Sequence, residues 1–161
     1  LFDAKARQFP HVVDMVERHP LGSQAFIPMS QVPFLVVVAE DDASLRRLYE
    51  FNLMSWPMRP VISTVQDGYE ALIRIGQYRP DMLIADLHMP GIDGFKMLQT
   101  LRQDPTLADM VIAVVTGLSP ADVEARGGVP EGVSVFPKPV PFDKLLALAQ
   151  AHQAKIASAA A

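Results

Sequence analysis

Residues 34–55 read Phe-Leu-Val-Val-Val-Ala-Glu-Asp-Asp-Ala-Ser-Leu-Arg-Arg-Leu-Tyr-Glu-Phe-Asn-Leu-Met-Ser. The run 34–39 is apolar throughout and of strand length, without the alternation of a half-exposed strand. That is the pattern of a strand covered on both faces, as in a parallel sheet. From 43 to about 55, Leu45, Leu48, Phe51, Asn52 and Leu53 recur at helical spacing, and Pro57 and Pro60 close the segment. Between strand and helix stand three consecutive acids, Glu40, Asp41 and Asp42.

The same alternation continues along the chain. Strands are predicted over 61–65, 82–85, 111–115 and 133–136, and helices over 67–77, 95–102, 120–126 and 141–156. Ser119-Pro120 is a helix start, with Ser as cap and Pro in the first turn. Gly127, Gly128, Pro130 and Gly132 make the loop before the fifth strand. Five strand–helix repeats joined by short loops give an α/β class, and they are too few for an eight-stranded barrel. The expected architecture is a doubly wound, five-stranded parallel sheet flanked by helices, in one domain over 33–156 with a tail at 157–161. Residues 1–32 are interrupted by Pro10, Pro20, Gly22 and Pro28. They read as an extension or linker with one short helix over 10–19, carrying Val12, Val13 and Val16; the end of an upstream domain and a docking or dimerisation helix are the alternatives.

Composition removes several function classes. The 161 residues carry 14 Lys and Arg against 18 Asp and Glu, a net charge of −4, so no broad basic face is offered to nucleic acid. There are no cysteines, which excludes disulfide scaffolds, zinc ribbons, iron–sulfur sites and thiol catalysis. The longest apolar runs, 34–39 and 110–115, fall far short of the ~18–20 residues of a membrane span. The N-terminus lacks the layout of a secretory signal, so a cytoplasmic protein is expected. The first residue is Leu1, which reads as a processed chain or a piece of a longer one.

In doubly wound sheets ligands bind outside the carboxyl ends of the strands. The residues just past the predicted strands are Glu40, Asp41 and Asp42, then Asp86, then Thr116, then Lys138 after Pro137. Clustered carboxylates repel one another and call for a compensating cation. With oxygen donors only, that cation is a hard one, Mg²⁺ or Mn²⁺. A carboxylate beside a metal, a lysine and a hydroxyl has the parts for phosphoryl transfer. Asp86, alone at the end of a central-looking strand, is the expected nucleophile.

On these residues the segment 34–156 resembles a response-regulator receiver domain, of flavodoxin-like fold. Leu83-Ile84-Ala85-Asp86-Leu87-His88-Met89-Pro90-Gly91-Ile92-Asp93-Gly94-Phe95 resembles the family's phosphoacceptor segment, and Asp67-Gly68-Tyr69-Glu70-Ala71-Leu72 its second-helix start. Phe136-Pro137-Lys138-Pro139 resembles its Lys-Pro end of the fifth strand. The spacing from Asp42 through Asp86 and Thr116 to Lys138 agrees with compact receivers. The resemblance implies Asp86 as phosphoacceptor, Thr116 as switch hydroxyl and Lys138 as phosphoryl partner. It implies Mg²⁺ (or Mn²⁺) held by Asp42 directly, by Asp41 through water, by Asp86 and by the backbone carbonyl of His88, and a cis peptide bond from Lys138 to Pro139.

It also implies a sensor histidine kinase or phosphotransfer protein as phosphoryl source and a downstream protein target. Catalysis would extend no further than the protein's own phosphorylation and dephosphorylation, and no membrane or nucleic-acid contact is expected of this segment. A homodimer, and a stand-alone regulator as against a part of a larger protein, are left open. Two positions depart from the family: Val135 stands where an aromatic is usual, and His88 where a small polar side chain is common. A pseudo-receiver that binds partners without phosphorylation is the competing reading, which intact Asp42, Asp86, Thr116 and Lys138 disfavour. A small-molecule phosphatase with an Asp nucleophile is disfavoured because His88 replaces the acid such enzymes carry two residues after the nucleophile.

Overall fold

Strand β1 (Leu35–Ala39) is buried along its whole length, as an uninterrupted apolar run requires. In the computed structural model of the protein, which describes residues 33–159, it lies inside a five-stranded parallel sheet of order β2-β1-β3-β4-β5. The other strands are β2 (Val61–Val65), β3 (Met82–Ala85), β4 (Val111–Thr116) and β5 (Val133–Pro137). The helices are α1 (Ala43–Met54), α2 (Gly68–Tyr78), α3 (Gly94–Gln103), α4 (Pro120–Ala125) and α5 (Phe142–Ala159), with a 3₁₀ turn at Pro105–Leu107. The chain divides between Val32 and Pro33, and the helix expected over 10–19 lies outside the described residues.

Side-chain alternation along the strands sorts the core into two layers. Val37, Ala39, Leu83, Ala85, Ile112 and Val114 face α2, α3 and α4, meeting Ile75, Leu98 and Val123. Val36, Val38, Met82, Ile84, Ala113 and Val115 face α1 and α5, meeting Tyr49, Leu53, Leu145 and Ala149. The edge strands β2 and β5 are only partly covered, which is why their sequences mix Ser and Thr among the valines.

Every predicted strand and helix after Pro33 is present, with one boundary to correct. The last helix runs through Ala157, Ser158 and Ala159, so those residues continue α5 and are not a tail. Alanine is the strongest helix former and no Gly or Pro stops the helix there. Arg102, which the sequence reading passed over, ties the far side of the sheet together. Its Nη1 donates to the Met110 carbonyl and its Nη2 to the Gly132 carbonyl, both at 3.1 Å.

Helix α3 enters hard against the loop that follows β3. A Cβ on Gly94 would stand 2.7 Å from the Leu87 carbonyl oxygen and 2.9 Å from its Cα, and backbone cannot retreat as a side-chain tip can. Gly94→Ala is therefore expected to destabilise by about 1–3 kcal/mol, the usual cost of overpacking, read by urea denaturation. An unchanged midpoint would show that the loop gives way freely.

Candidate functional site at the carboxyl end of the sheet

The sheet order reverses beside β1: the chain steps from β1 out to β2, then crosses to β3 on the other side. The crevice this leaves lies above the ends of β1 and β3. Ala39 and Ala85 are in register, so Glu40 and Asp86, the next residue of each strand, emerge side by side. The Asp86 amide donates to the Ala39 carbonyl (3.2 Å), which fixes the start of the loop after β3. On the other flank Thr116 pairs with Pro137, and the Lys138 amide donates to the Thr116 carbonyl (2.9 Å). Lys138 thereby arrives at the same end, and the Lys138–Pro139 peptide bond is cis.

The lysine bridges two carboxylates. Its Nζ lies 2.7 Å from Asp86 Oδ2 and 3.1 Å from Glu40 Oε2, and both acids are buried. The other Asp86 oxygen, Oδ1, accepts from the His88 amide at 3.0 Å. Thr116, at the end of β4, is buried, its Oγ1 accepting the Leu118 amide at 3.2 Å. The structure thus brings Asp86 and Lys138 together, with Thr116 at the same sheet end, while the side chain of His88 is exposed.

The acidic triplet is arranged differently from the expectation. Asp42 caps α1: its Oδ1 accepts the Leu45 amide at 2.8 Å and its side chain is exposed. The carboxylate that reaches the lysine is that of Glu40, whose Oε1 also accepts the Asp42 amide at 3.1 Å. Asp42, expected as the direct ligand of the cation, thus serves here as the cap of α1, and Glu40 is the member of the triplet that faces the lysine. Two signals for this were in the sequence: an Asp immediately before a helix start is an N-cap, and Glu40 continues the side-chain parity of Val36 and Val38. Asp67 and Asp93 cap α2 and α3 in the same way, so acids gather at this end of the sheet partly because helices begin there.

Burial, the largest influence, pushes the Glu40 carboxyl above its ordinary value. The adjacent Asp41 carboxyl adds to this, against the Asp42 amide and Lys138. For Lys138 burial works against the ammonium, but its bonds to Asp86 and Glu40 outweigh that and hold it above its ordinary value. Burial, then the fields of Glu40 and Asp86, push the Tyr49 phenol well above its usual range. A carboxyl whose value is raised by folding favours the fold when protonated and opposes it when charged. Glu40→Gln is thus expected to raise the thermal midpoint at neutral pH, the gain disappearing as pH falls towards 4.5, the ordinary value of the group. A gain that persists below that pH would have another origin.

Among the described residues no three Asp, Glu or His side chains form a closed metal cage. The donors nevertheless fit a hard divalent cation: all are oxygens, and the like charges of Glu40 and Asp41 stand together with one lysine for compensation. Asp86, Asp41 and Glu40, with the His88 carbonyl, are the groups that would hold one.

Comparison with known proteins divides the chain. Response regulator MprA of Mycobacterium sp. (strain KMS) is 33% identical over 120 residues, covering 72% of this chain and 49% of that protein. The structure of a response regulator receiver protein from Pseudomonas putida superimposes with a TM-score of 0.62 at 27% identity, covering 74% of this chain and 98% of that one. From Pro33 onward the chain has the fold of a response-regulator receiver domain and is similar in sequence to response regulators. Receiver domains of this kind serve phosphorylation-dependent signalling in general, exchanging signals with histidine kinases and downstream effectors. A family model described as ureidoglycolate lyase matches residues 1–74, so β1, α1 and β2 of the receiver sheet answer to both descriptions. Ureidoglycolate lyase of Rhodobacter capsulatus is 76% identical over 41 residues, 26% of each chain. The chain thus spans only a quarter to a half of the curated relatives it matches. Among the described residues no helix is long and apolar enough to cross a membrane.

Proposed function

We propose that this receiver domain accepts a phosphoryl group on Asp86 from the phosphohistidine of a sensor kinase or phosphotransfer protein, in the cytoplasm, and signals by a conformational change to a protein target. The observation that carries this reading is the 2.7 Å pairing of Asp86 with Lys138 in the crevice, with the Thr116 hydroxyl at the same sheet end. An Asp86 carboxylate oxygen attacks phosphorus; the O–P bond forms as the P–N bond to the donor imidazole breaks, and the electron pair leaves with that nitrogen. Lys138 is placed to follow the new charge onto the phosphoryl oxygens. Mg²⁺ or Mn²⁺, when bound, supplies further positive charge against those oxygens.

Signal output follows from what Thr116 gives up. Turning its hydroxyl to the phosphoryl group frees the Leu118 amide, at the entry to α4. Helix α4 is only six residues long, and its capping box of Ser119 and Asp122 makes it a unit that moves together. Val135 is exposed on β5 and stiff at χ1, so the rearrangement runs through β4 and the loop at 117–119.

The test is incubation of the full chain with acetyl phosphate and Mg²⁺, read by intact mass. One added phosphoryl group, sensitive to hydroxylamine and absent without the metal, supports the reading; no gain would leave the pseudo-receiver. The lyase-like match at 1–74 favours a second reading, ureidoglycolate cleavage, to be tested by incubating the chain with ureidoglycolate.

A further inference from the structure

Arg46, on the first full turn of α1, touches neither the lysine nor Asp86, yet it takes every carbonyl of the acidic triplet. Its Nη1 donates to the Glu40 carbonyl at 2.7 Å and to the Asp41 carbonyl at 2.8 Å. Its backbone amide donates to the Asp42 carbonyl at 2.9 Å. The Asp42 amide is on Glu40 Oε1 and the Asp42 carboxylate on the helix cap, so every carbonyl of the triplet has a donor and its last residue is held at both ends. We infer that Arg46 is a positioning residue for the divalent-cation site, holding the Glu40 and Asp41 carboxylates side by side in advance of the ion. This rests on the proposed function, since the cation belongs to that reading.

The physical reason lies in the loop itself. Three adjacent acids repel, and a flexible loop would relax by turning the exposed Asp41 carboxylate away from Glu40, so that binding a cation must first order it again. Arg46 removes that cost through two charge-assisted bonds from one nitrogen, which a guanidinium on a half-buried stem can direct at consecutive carbonyls. A lysine side chain is one bond shorter and ends in an ammonium without the planar fork, so it does not reach the two carbonyls in the same geometry. The positive charge of Arg46 by itself acts the other way, since a nearby cation disfavours Mg²⁺. Positioning and charge therefore predict opposite signs, and a substitution that keeps the charge separates them.

The experiment is titration of the full chain with Mn²⁺, followed by electron paramagnetic resonance, which needs no phosphoryl transfer. Arg46→Lys is expected to weaken Mn²⁺ binding by about tenfold, in the range seen when groups that orient metal ligands are removed. Arg46→Met, which also removes the opposing charge, should weaken it less. Amide exchange in metal-free Arg46→Lys should quicken at 41–43 while the β3 and β4 amides stay as protected as in the wild type, which separates loop loosening from general unfolding. Unchanged or tighter binding in Arg46→Lys would overturn the inference while leaving the proposed function standing. No Mn²⁺ binding by the wild type would overturn both.

Discussion

Asp86→Asn is expected to abolish the hydroxylamine-sensitive mass gain with acetyl phosphate and Mg²⁺ completely, because the amide oxygen is too weak a nucleophile to form the acyl phosphate. The fold should survive. Losing one partner of a buried ion pair can cost about 3–5 kcal/mol when the other charge is stranded, but here Lys138 keeps Glu40 at 3.1 Å and part of its side chain stays in water. The substitution also removes one of the carboxylates crowding the crevice. Stability is therefore expected to change by less than about 1–2 kcal/mol, and urea unfolding beside the mass measurement separates loss of chemistry from loss of structure. A phosphoryl group retained in Asp86→Asn would move the acceptor elsewhere.

Lys138→Met is expected to have the second largest effect, on stability before chemistry. It leaves Glu40 and Asp86 facing each other with no ammonium between them. At neutral pH the loss should be about 1–3 kcal/mol, discounted from the fully buried case because the lysine is part exposed. Glu40 is already raised by burial, and removing Lys138 takes away one of the influences that lower it. The deficit is thus fully present above the folded value of Glu40 and closes as pH falls towards 4.5, where the carboxyl is protonated in both states. In the wild type the raised lysine gives the opposite limit: its pairing contributes fully below 10.5 and is lost only as pH climbs through its folded value. Added Mg²⁺ should restore much of the variant's stability, about 2.7 kcal/mol at a hundredfold excess over Kd. Thermal midpoints with and without the metal, across pH, are the check; a deficit that Mg²⁺ leaves untouched would remove Glu40 and Asp86 from the cation site.

The triplet 40–42 marks the boundary between what was legible in the chain and what was not. Apolar runs of strand length alternating with helical periodicity determined the class, the five strands and the sheet end on which chemistry would gather. Asp86 and Thr116 could be picked out because each is the polar group at the end of a buried strand, and Lys138 because it stands at the same end of the fifth strand. The triplet offered three similar carboxylates in succession, and composition cannot divide their duties. Strand parity sends Glu40 inward to Lys138, the start of α1 draws Asp42 to the cap, and Asp41 is left beside Glu40.

By itself the sequence determined every local preference: which segments bury, which turn, and which residues end each strand. Only the tertiary structure decided the pairings across long separations, Lys138 with Glu40 and Asp86, and Arg102 with Gly132. Those partners are chosen by sheet order and register, and a register is a property of several strands packed together, with no one segment carrying it.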